Sequence, residues 1–398
     1  NSDFSTNNYY LLIIFLTVYI FVMLLYYILE TRVSNLINYI PYCFLLIGTF
    51  VGFNLNFYIL MLVLLGFNNL IQVGSGFTFN KIYLFFTFFW LLSRYESYTF
   101  FDTDKIRNHS DVDSLPKVDW VIDCAANPSV LAGMNEQSSS RQLMEHNLLG
   151  TINLLEYCKK HKAGLILLST SRVYSASELA KLPVYSSNDR FKLEPSGRPG
   201  ISENGISESF STASPISLYG ASKLASESLI LEYGECFDFP VWINRCGVLA
   251  GAGQFGKADQ GIFSFWIHSF REKKPLKYIG FEGSGNQVRD ALHPNDLVPL
   301  IVQQMQKPDR SVPKILNLGG GINNSISLKE LSIWCEGRFG INEVGSSQEE
   351  RPMDAPWIVM DTITAQDEWK WHVQTKIEDI LEEIAIFAEK NSHLKSIL

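Results

Sequence analysis

The first hundred residues of this chain carry only six charged side chains: Asp3, Glu30, Arg32, Lys81, Arg94 and Glu96. All 398 residues together carry 33 Lys and Arg and 41 Asp and Glu, so nearly all of the charge lies beyond residue 100. A segment this apolar cannot fold as the charged remainder does, because a water-facing surface needs polar side chains spread along it. The sequence therefore reads as two pieces, an apolar segment at 1–100 and an ordinary globular domain at 101–398.

Within the apolar piece, Tyr9 to Leu29 is an uncharged run of 21 residues. As a helix it spans about 30 Å, one hydrocarbon thickness. Val33 to Asn80 is a second uncharged stretch, long enough for one or two more spans and broken by Pro41 and several Gly and Asn. Ile82 to Ser93 is apolar but short for a span. Positive charges are too few to set an orientation. No basic start and no small-residue cleavage site mark a signal peptide. Genuine spans would put residues 9–93 in a membrane with the remaining domain on the cytoplasmic side. The same monotony in Phe, Leu, Ile, Tyr and Asn, in a chain that starts at Asn1, is also what translated AT-rich sequence gives. Under that reading the protein is cytoplasmic.

Composition narrows the rest. The formal net charge of −8 argues against nucleic acid as a partner. The six cysteines, Cys43, Cys124, Cys158, Cys236, Cys246 and Cys335, form no Cys-x-x-Cys pair, so neither a disulfide framework nor a metal site is expected.

Beyond residue 100 the pattern alternates between strand and helix. Val118–Ala125, Gly164–Thr170, Val241–Gly247 and Lys314–Leu318 are short runs rich in β-branched and aliphatic residues. Between them, Ser138–Lys160 and Tyr219–Phe237 have helical spacing. Strands alternating with helices of this length predict an α/β fold with a parallel sheet and right-handed crossovers. Ligands sit at the carboxyl ends of such strands, here Ala125-Ala126-Asn127, Ser169-Thr170-Ser171 and Cys246-Gly247.

One of those ends meets a chemical pair. Tyr219 and Lys223 are four residues apart and share a helix face. A tyrosine acting as a base near pH 7 needs about 4 kcal/mol of added phenolate stabilisation. A neighbouring ammonium supplies part of that by charge. A lone Tyr-x-x-x-Lys is a weak signal, equally a surface Tyr and a solvated Lys. A strand-end hydroxyl at Ser169-Thr170-Ser171 adds a group that orients a substrate hydroxyl against the tyrosine.

With these residues together the chain resembles the extended short-chain dehydrogenase/reductase family of nucleotide-sugar epimerases and dehydratases, over about Asp104 to Trp371. Asn147-Leu-Leu-Gly150-Thr-Ile-Asn153-Leu-Leu-Glu156 resembles a helix motif of that family. The order of Gly253-Gln254-Phe255, Asp259-Gln260-Gly261, Gly285-Asn-Gln287-Val-Arg289-Asp290-Ala-Leu-His293 and Asn317-Leu-Gly319-Gly320 is most similar to its CDP-tyvelose (CDP-paratose) 2-epimerase branch. The resemblance implies a Rossmann-like sheet, with substrate-binding parts at about 252–313 and 321–398. It implies Thr170 as the active-site hydroxyl, Tyr219 as the base and Lys223 as its partner. NAD is implied as cofactor, touched by Ala125, Ala126, Asn147, Tyr219 and Lys223. The implied substrate is a nucleotide sugar, bound by Gln254, with Arg289 and Arg351 on its diphosphate, in a homodimer. His293 reads as structural. Dehydratases of the family carry Asp-Glu after the active-site Thr; Ser171-Arg172 stand here, which argues against dehydration.

The chain also departs from the family. No Gly-x-x-Gly-x-x-Gly turn occurs anywhere in it, and Gly74-Ser-Gly76 is too short to replace one. The usual Asn of the Arg-x-x-Asn-x-x-Gly segment is Val248, three residues after Arg245. Family turns of this kind hold the pyrophosphate with backbone N–H groups. The first two βα units are expected to be missing, the outer edge of the Val118–Ala125 strand to be bare, and NAD to bind poorly or not at all. Three functions follow as expectations: a nucleotide-sugar 2-epimerase, a non-catalytic membrane-anchored remnant without the cofactor half, or a nucleotide-sugar oxidoreductase that releases NADH.

Overall fold

The computed structural model describes residues 106–130, 132–133, 139–254, 256, 260–308 and 311–391. All of them belong to one compact unit, Phe100–Leu398. The apolar stretches at 9–29, 33–80 and 82–93, and with them the membrane reading, lie outside the described residues. Among the described residues no helix is long and apolar enough to cross a membrane.

The central sheet has four parallel strands. β1 (Trp120–Asp123) pairs with β2 (Gly164–Thr170), β2 with β3 (Val241–Cys246), and β3 with β5 (Ile315–Leu318). The expected strands are therefore present, three of them trimmed by one to four residues at their ends. β2 runs almost continuously apolar because both of its faces are covered. Leu165 and Leu167 enter one core with Leu154, Leu155, Tyr157, Ile230 and Ile243. Ile166 enters another with Trp242, Leu316, Leu318 and Trp369.

The helix expected at Ser138–Lys160 is α1 (Ser140–Met144), a π-helical turn at Glu145–Leu149, and α2 (Gly150–His161). α3 (Leu218–Phe237) begins where the Ser217 hydroxyl accepts from the Gly220 N–H. Gly164 at the start of β2 has a packing reason: a Cβ there would meet the Trp120 ring at 2.4 Å.

A second, smaller region follows. β4 (Val288–Leu292) lies between Ser325–Ser327, antiparallel, and Trp357–Ile358, parallel, and also pairs with Val248–Leu249. Helices α4 (Ile262–Arg271), α6 (Leu328–Phe339) and α8 (Ile377–Lys390) pack with it, while α5 (Pro294–Gln306) and α7 (Ile363–Trp369) join the core of the central sheet through Leu297, Leu300, Ala365 and Trp369. α4, α6 and α8 share a core of Phe263, Trp266, Phe270, Leu331, Ile380 and Ile384.

Among the described residues β1 pairs only with β2; the βα units expected to be missing ahead of it concern residues outside those described. Ile122 pairs in register with Ile166, yet Ile122 is 41% exposed and Ile166 is 0% exposed.

Candidate active site

β2 ends in Thr170, and the next residues form a single 3-10 turn, Ser171–Val173. The Thr170 hydroxyl accepts from the Arg172 N–H at 3.1 Å and hydrogen-bonds with the Tyr219 phenol. Tyr219 is in the first turn of α3, which packs directly on that 3-10 turn. A Cβ on Gly220 would stand 2.2 Å from the Arg172 carbonyl oxygen, so only glycine lets the two segments meet. Thr170, Tyr219 and Lys223 are thus gathered at one strand end, as the sequence pairs them.

Burial pushes the Tyr219 phenol above its ordinary value; the Thr170 hydroxyl and the Arg172 guanidinium pull against it. Lys223 acts on the Cys124 and Cys246 thiols, which burial holds up at about 11 and about 12. Lys223 is 1% exposed, and no hydrogen bond or ion pair among the described residues engages its ammonium.

Beneath Thr170 a buried network joins the three elements that carry the site. Ser169 of β2 donates to Glu227 of α3 at 2.5 Å, and Arg245 of β3 holds the same carboxylate at 2.7 Å. Tyr174 donates to Asn317 on β5 at 2.6 Å. A buried ion pair adds little net stability over apolar packing, but losing one partner costs about 3–5 kcal/mol. The network fixes how β2, β3 and α3 meet, and so where Thr170 stands against Tyr219.

Asn147 lies in the π-helical turn, a feature often found at functional sites. Its carboxamide accepts from the Asn127 N–H at 2.7 Å and donates to the Asn127 carbonyl and the Ser222 hydroxyl. It holds the segment after β1 against α3, beside Lys223. Ala125 and Ala126 form that segment, and the Ala125 N–H closes onto Asp123 at 3.0 Å. The Gln254 carboxamide is engaged within its own loop, donating to the Leu249 carbonyl at 2.8 Å, and nothing described links it to the arginines below.

Those arginines form the most charged part of the site. Arg289 of β4 pairs with Asp354 at 2.6 Å and donates to the Val288 carbonyl at 2.7 Å. Arg351 lies within electrostatic reach of Arg289 and of Arg172. Burial and the two neighbouring guanidiniums pull Arg172 down to about 10. Arg172 therefore lies within electrostatic reach of Arg289, Arg351 and Asp354 and of Tyr219. Reading the sequence found Arg289 and Arg351 and missed Arg172, whose signal was its place two residues after Thr170.

Asp290, next to Arg289, is fully buried in a cradle of glycines. A Cβ on Gly319 would meet its Oδ2 at 2.3 Å, and one on Gly247 its Oδ1 at 2.8 Å. Oδ2 accepts from the Gly321 and Met360 N–H groups, both at 3.1 Å, while Oδ1 finds no partner. Burial raises its carboxyl to about 6. His293 is structural: Nδ1 caps α5 by accepting from the Asn295 N–H, and Nε2 meets Glu383 at 3.0 Å.

These residues fit one end of a nicotinamide dinucleotide. Lys223 offers a buried ammonium without an acceptor to a ribose diol beside Tyr219. At the other end the sequence contains no glycine turn for the pyrophosphate.

The comparisons with known proteins agree with this geometry. The model of the "NAD dependent epimerase/dehydratase family" matches residues 93–319. CDP-paratose 2-epimerase of Salmonella typhi is 30% identical over 240 residues, 58% of this chain and 68% of that protein. Among solved structures, UDP-glucose 4-epimerase of Thermotoga maritima with UDP-glucose superposes with a TM-score of 0.58 at 18% identity, covering 72% of this chain and 84% of that one. UDP-glucuronic acid 4-epimerase of Bacillus cereus, in complex with UDP-glucuronic acid and NAD, gives 0.56 at 23% identity, covering 72% and 80%. At those identities the structures speak for the Rossmann-like fold alone. The family match covers more than half the chain and the site residues stand together at one sheet edge: the chain belongs to the NAD-dependent epimerase/dehydratase family.

Proposed function

We propose that this chain acts on a nucleotide-linked hexose, as an epimerase at C2 of a CDP-sugar. The observation that carries the reading is that Arg172, beside the Thr170–Tyr219 pair, lies within electrostatic reach of Arg351 and of the Arg289–Asp354 pair. Guanidiniums suit a diphosphate, whose oxygens they bind through paired N–H donors. The name of the Salmonella typhi relative and the ordered residues from Gly253 to Gly320 support the C2 assignment.

The roles then follow from the geometry. Arg289 and Arg351 hold the diphosphate and fix the sugar against the end of β2. Thr170 accepts from the Arg172 N–H, which leaves its own proton to point at Tyr219 or at a sugar hydroxyl. Tyr219 takes the proton of that hydroxyl and returns it on the other half of the reaction. To accept that proton Tyr219 must be a phenolate; burial opposes that form, and the Thr170 hydroxyl and the Arg172 guanidinium favour it. NAD, when bound, supplies the hydride acceptor and donor. No acid follows Thr170, in keeping with epimerisation rather than loss of water.

A second reading has one observation in its favour. The exposed Ile122 edge of β1, together with a sequence lacking the glycine turn, fits a protein that binds nucleotide sugars without turning them over. The test is a Tyr219→Phe variant incubated beside wild type with CDP-hexoses and NAD, reading C2 configuration by NMR. Loss of about 10²–10⁴-fold in turnover with CDP binding retained is expected for the epimerase. Unchanged turnover in the variant overturns the role of Tyr219. Wild type that binds CDP tightly but converts no CDP-hexose favours the second reading.

A further inference from the structure

The three arginines are not equivalent. Arg289 projects from β4 and is already committed to Asp354 at 2.6 Å. Arg351 comes from the loop leading to Trp357–Ile358. Arg172 comes from the opposite wall, on the turn after β2, with its own N–H on Thr170 and its carbonyl against Gly220. A guanidinium has five N–H donors. Among the described residues Arg172 uses one, at 3.3 Å to the Met353 carbonyl, and has no carboxylate partner. It is a half-buried cation; the Met353 carbonyl it holds precedes Asp354, the partner of Arg289, and a Cβ on Gly280 would stand 3.6 Å from Asp354 and 3.7 Å from Arg351, which draws the three arginines to one place.

Like charges gathered in a low-dielectric pocket repel, and a dianion removes the repulsion. In a nucleoside diphosphate sugar, the phosphate bonded to the sugar is the one nearest the reacting carbons. The arginine nearest the Thr170–Tyr219 pair therefore faces that phosphate. We propose that Arg172 is a third substrate-binding arginine, contacting the sugar-side phosphate from the Tyr219 wall of the pocket. The inference rests on the nucleotide-sugar reading above and deepens it.

The test compares nucleoside diphosphates with monophosphates, since the sugar-side phosphate is present only in the former. Calorimetry with CDP, UDP, CMP and UMP is run on the full chain, on Arg172→Gln and on Arg172→Lys, with melting curves confirming that each variant is folded. Arg172→Gln should weaken CDP and UDP by roughly tenfold to hundredfold and leave CMP and UMP unchanged. Arg172→Lys, which keeps the charge but not the planar fork, should fall between. Equal affinity of wild type and both variants for CDP overturns the proposal while leaving the nucleotide-sugar reading standing. An equal loss for diphosphates and monophosphates also overturns it, since Arg172 would then only shape the pocket. Wild type that binds neither CDP nor UDP overturns both.

Discussion

The two halves of the site are built to different standards. On the nucleotide-sugar side, strand β4 is paired on both flanks, Arg289 is locked by Asp354, and helices α4, α6 and α8 close a dense core behind them. On the cofactor side, β1 has one partner among the described residues, and Ile122 lies open at its edge. Lys223 and Asn147 are in place there, but the element that holds a pyrophosphate is missing from the sequence. A parallel strand with a bare edge is a liability unless something covers it. The comparison teaches that the residues expected to recognise the substrate and those expected to recognise the cofactor come from different elements of this fold.

The strongest way to break that contrast is to measure NAD itself. Titration of the purified full chain by fluorescence or calorimetry is expected to show only weak binding, so that turnover requires NAD added in excess, because side chains replace the backbone N–H groups of a glycine turn poorly. Grafting a glycine-turn βαβ unit from a related epimerase ahead of β1 should restore binding and lower the exposure of the β1 edge. Clear micromolar binding by the unmodified chain would mean that the two halves are equally complete.

A smaller effect sharpens the other side of the contrast. Arg289→Ala and Arg351→Ala should each weaken CDP or UDP binding by about 1.5–3 kcal/mol, the worth of a hydrogen bond to a charged group. Arg289→Ala also leaves Asp354 without its partner, so its loss should be the larger. If neither variant changes affinity, these arginines are structural and the nucleotide-sugar side is no better built for its ligand than the cofactor side.

The smallest effect is a pH dependence confined to the nucleotide-sugar side. Glu383 raises His293 above its ordinary value, burial working against it, so protonated His293 stabilises the fold. That contribution is fully present below about 6.5, the unfolded value, and is lost as pH rises through the higher folded one. Glu383 is 46% exposed, so the amount should stay under about 1 kcal/mol. Melting curves from pH 5.5 to 8.5 should show a slight fall for wild type and a flatter profile for Glu383→Gln. Identical profiles would mean that the contact carries no charge.

Much of the sheet was legible in the sequence. Gly164–Thr170 has the limits its apolar run suggests, and Val241–Cys246 falls one residue short of its run. Continuous burial on both faces selects continuous aliphatic residues, and that selection is a local signal. Tyr219 and Lys223 were legible for a similar reason, since one helical turn links them. Arg172 was not. Its contact with Met353 spans 181 residues, and its meaning depends on Asp354, Arg289 and Arg351 arriving from separate elements. The π-helical turn that presents Asn147 was also hidden, because no residue type marks it.

By itself the sequence determined the alternation of strands and helices, the pairing of Tyr219 with Lys223 and the absence of a glycine turn, all of which are short-range patterns. Only the tertiary structure decided what stands near that pair. Charges act through space, and folding brought Arg172, Arg351 and the Arg289–Asp354 pair together from separate elements near Tyr219.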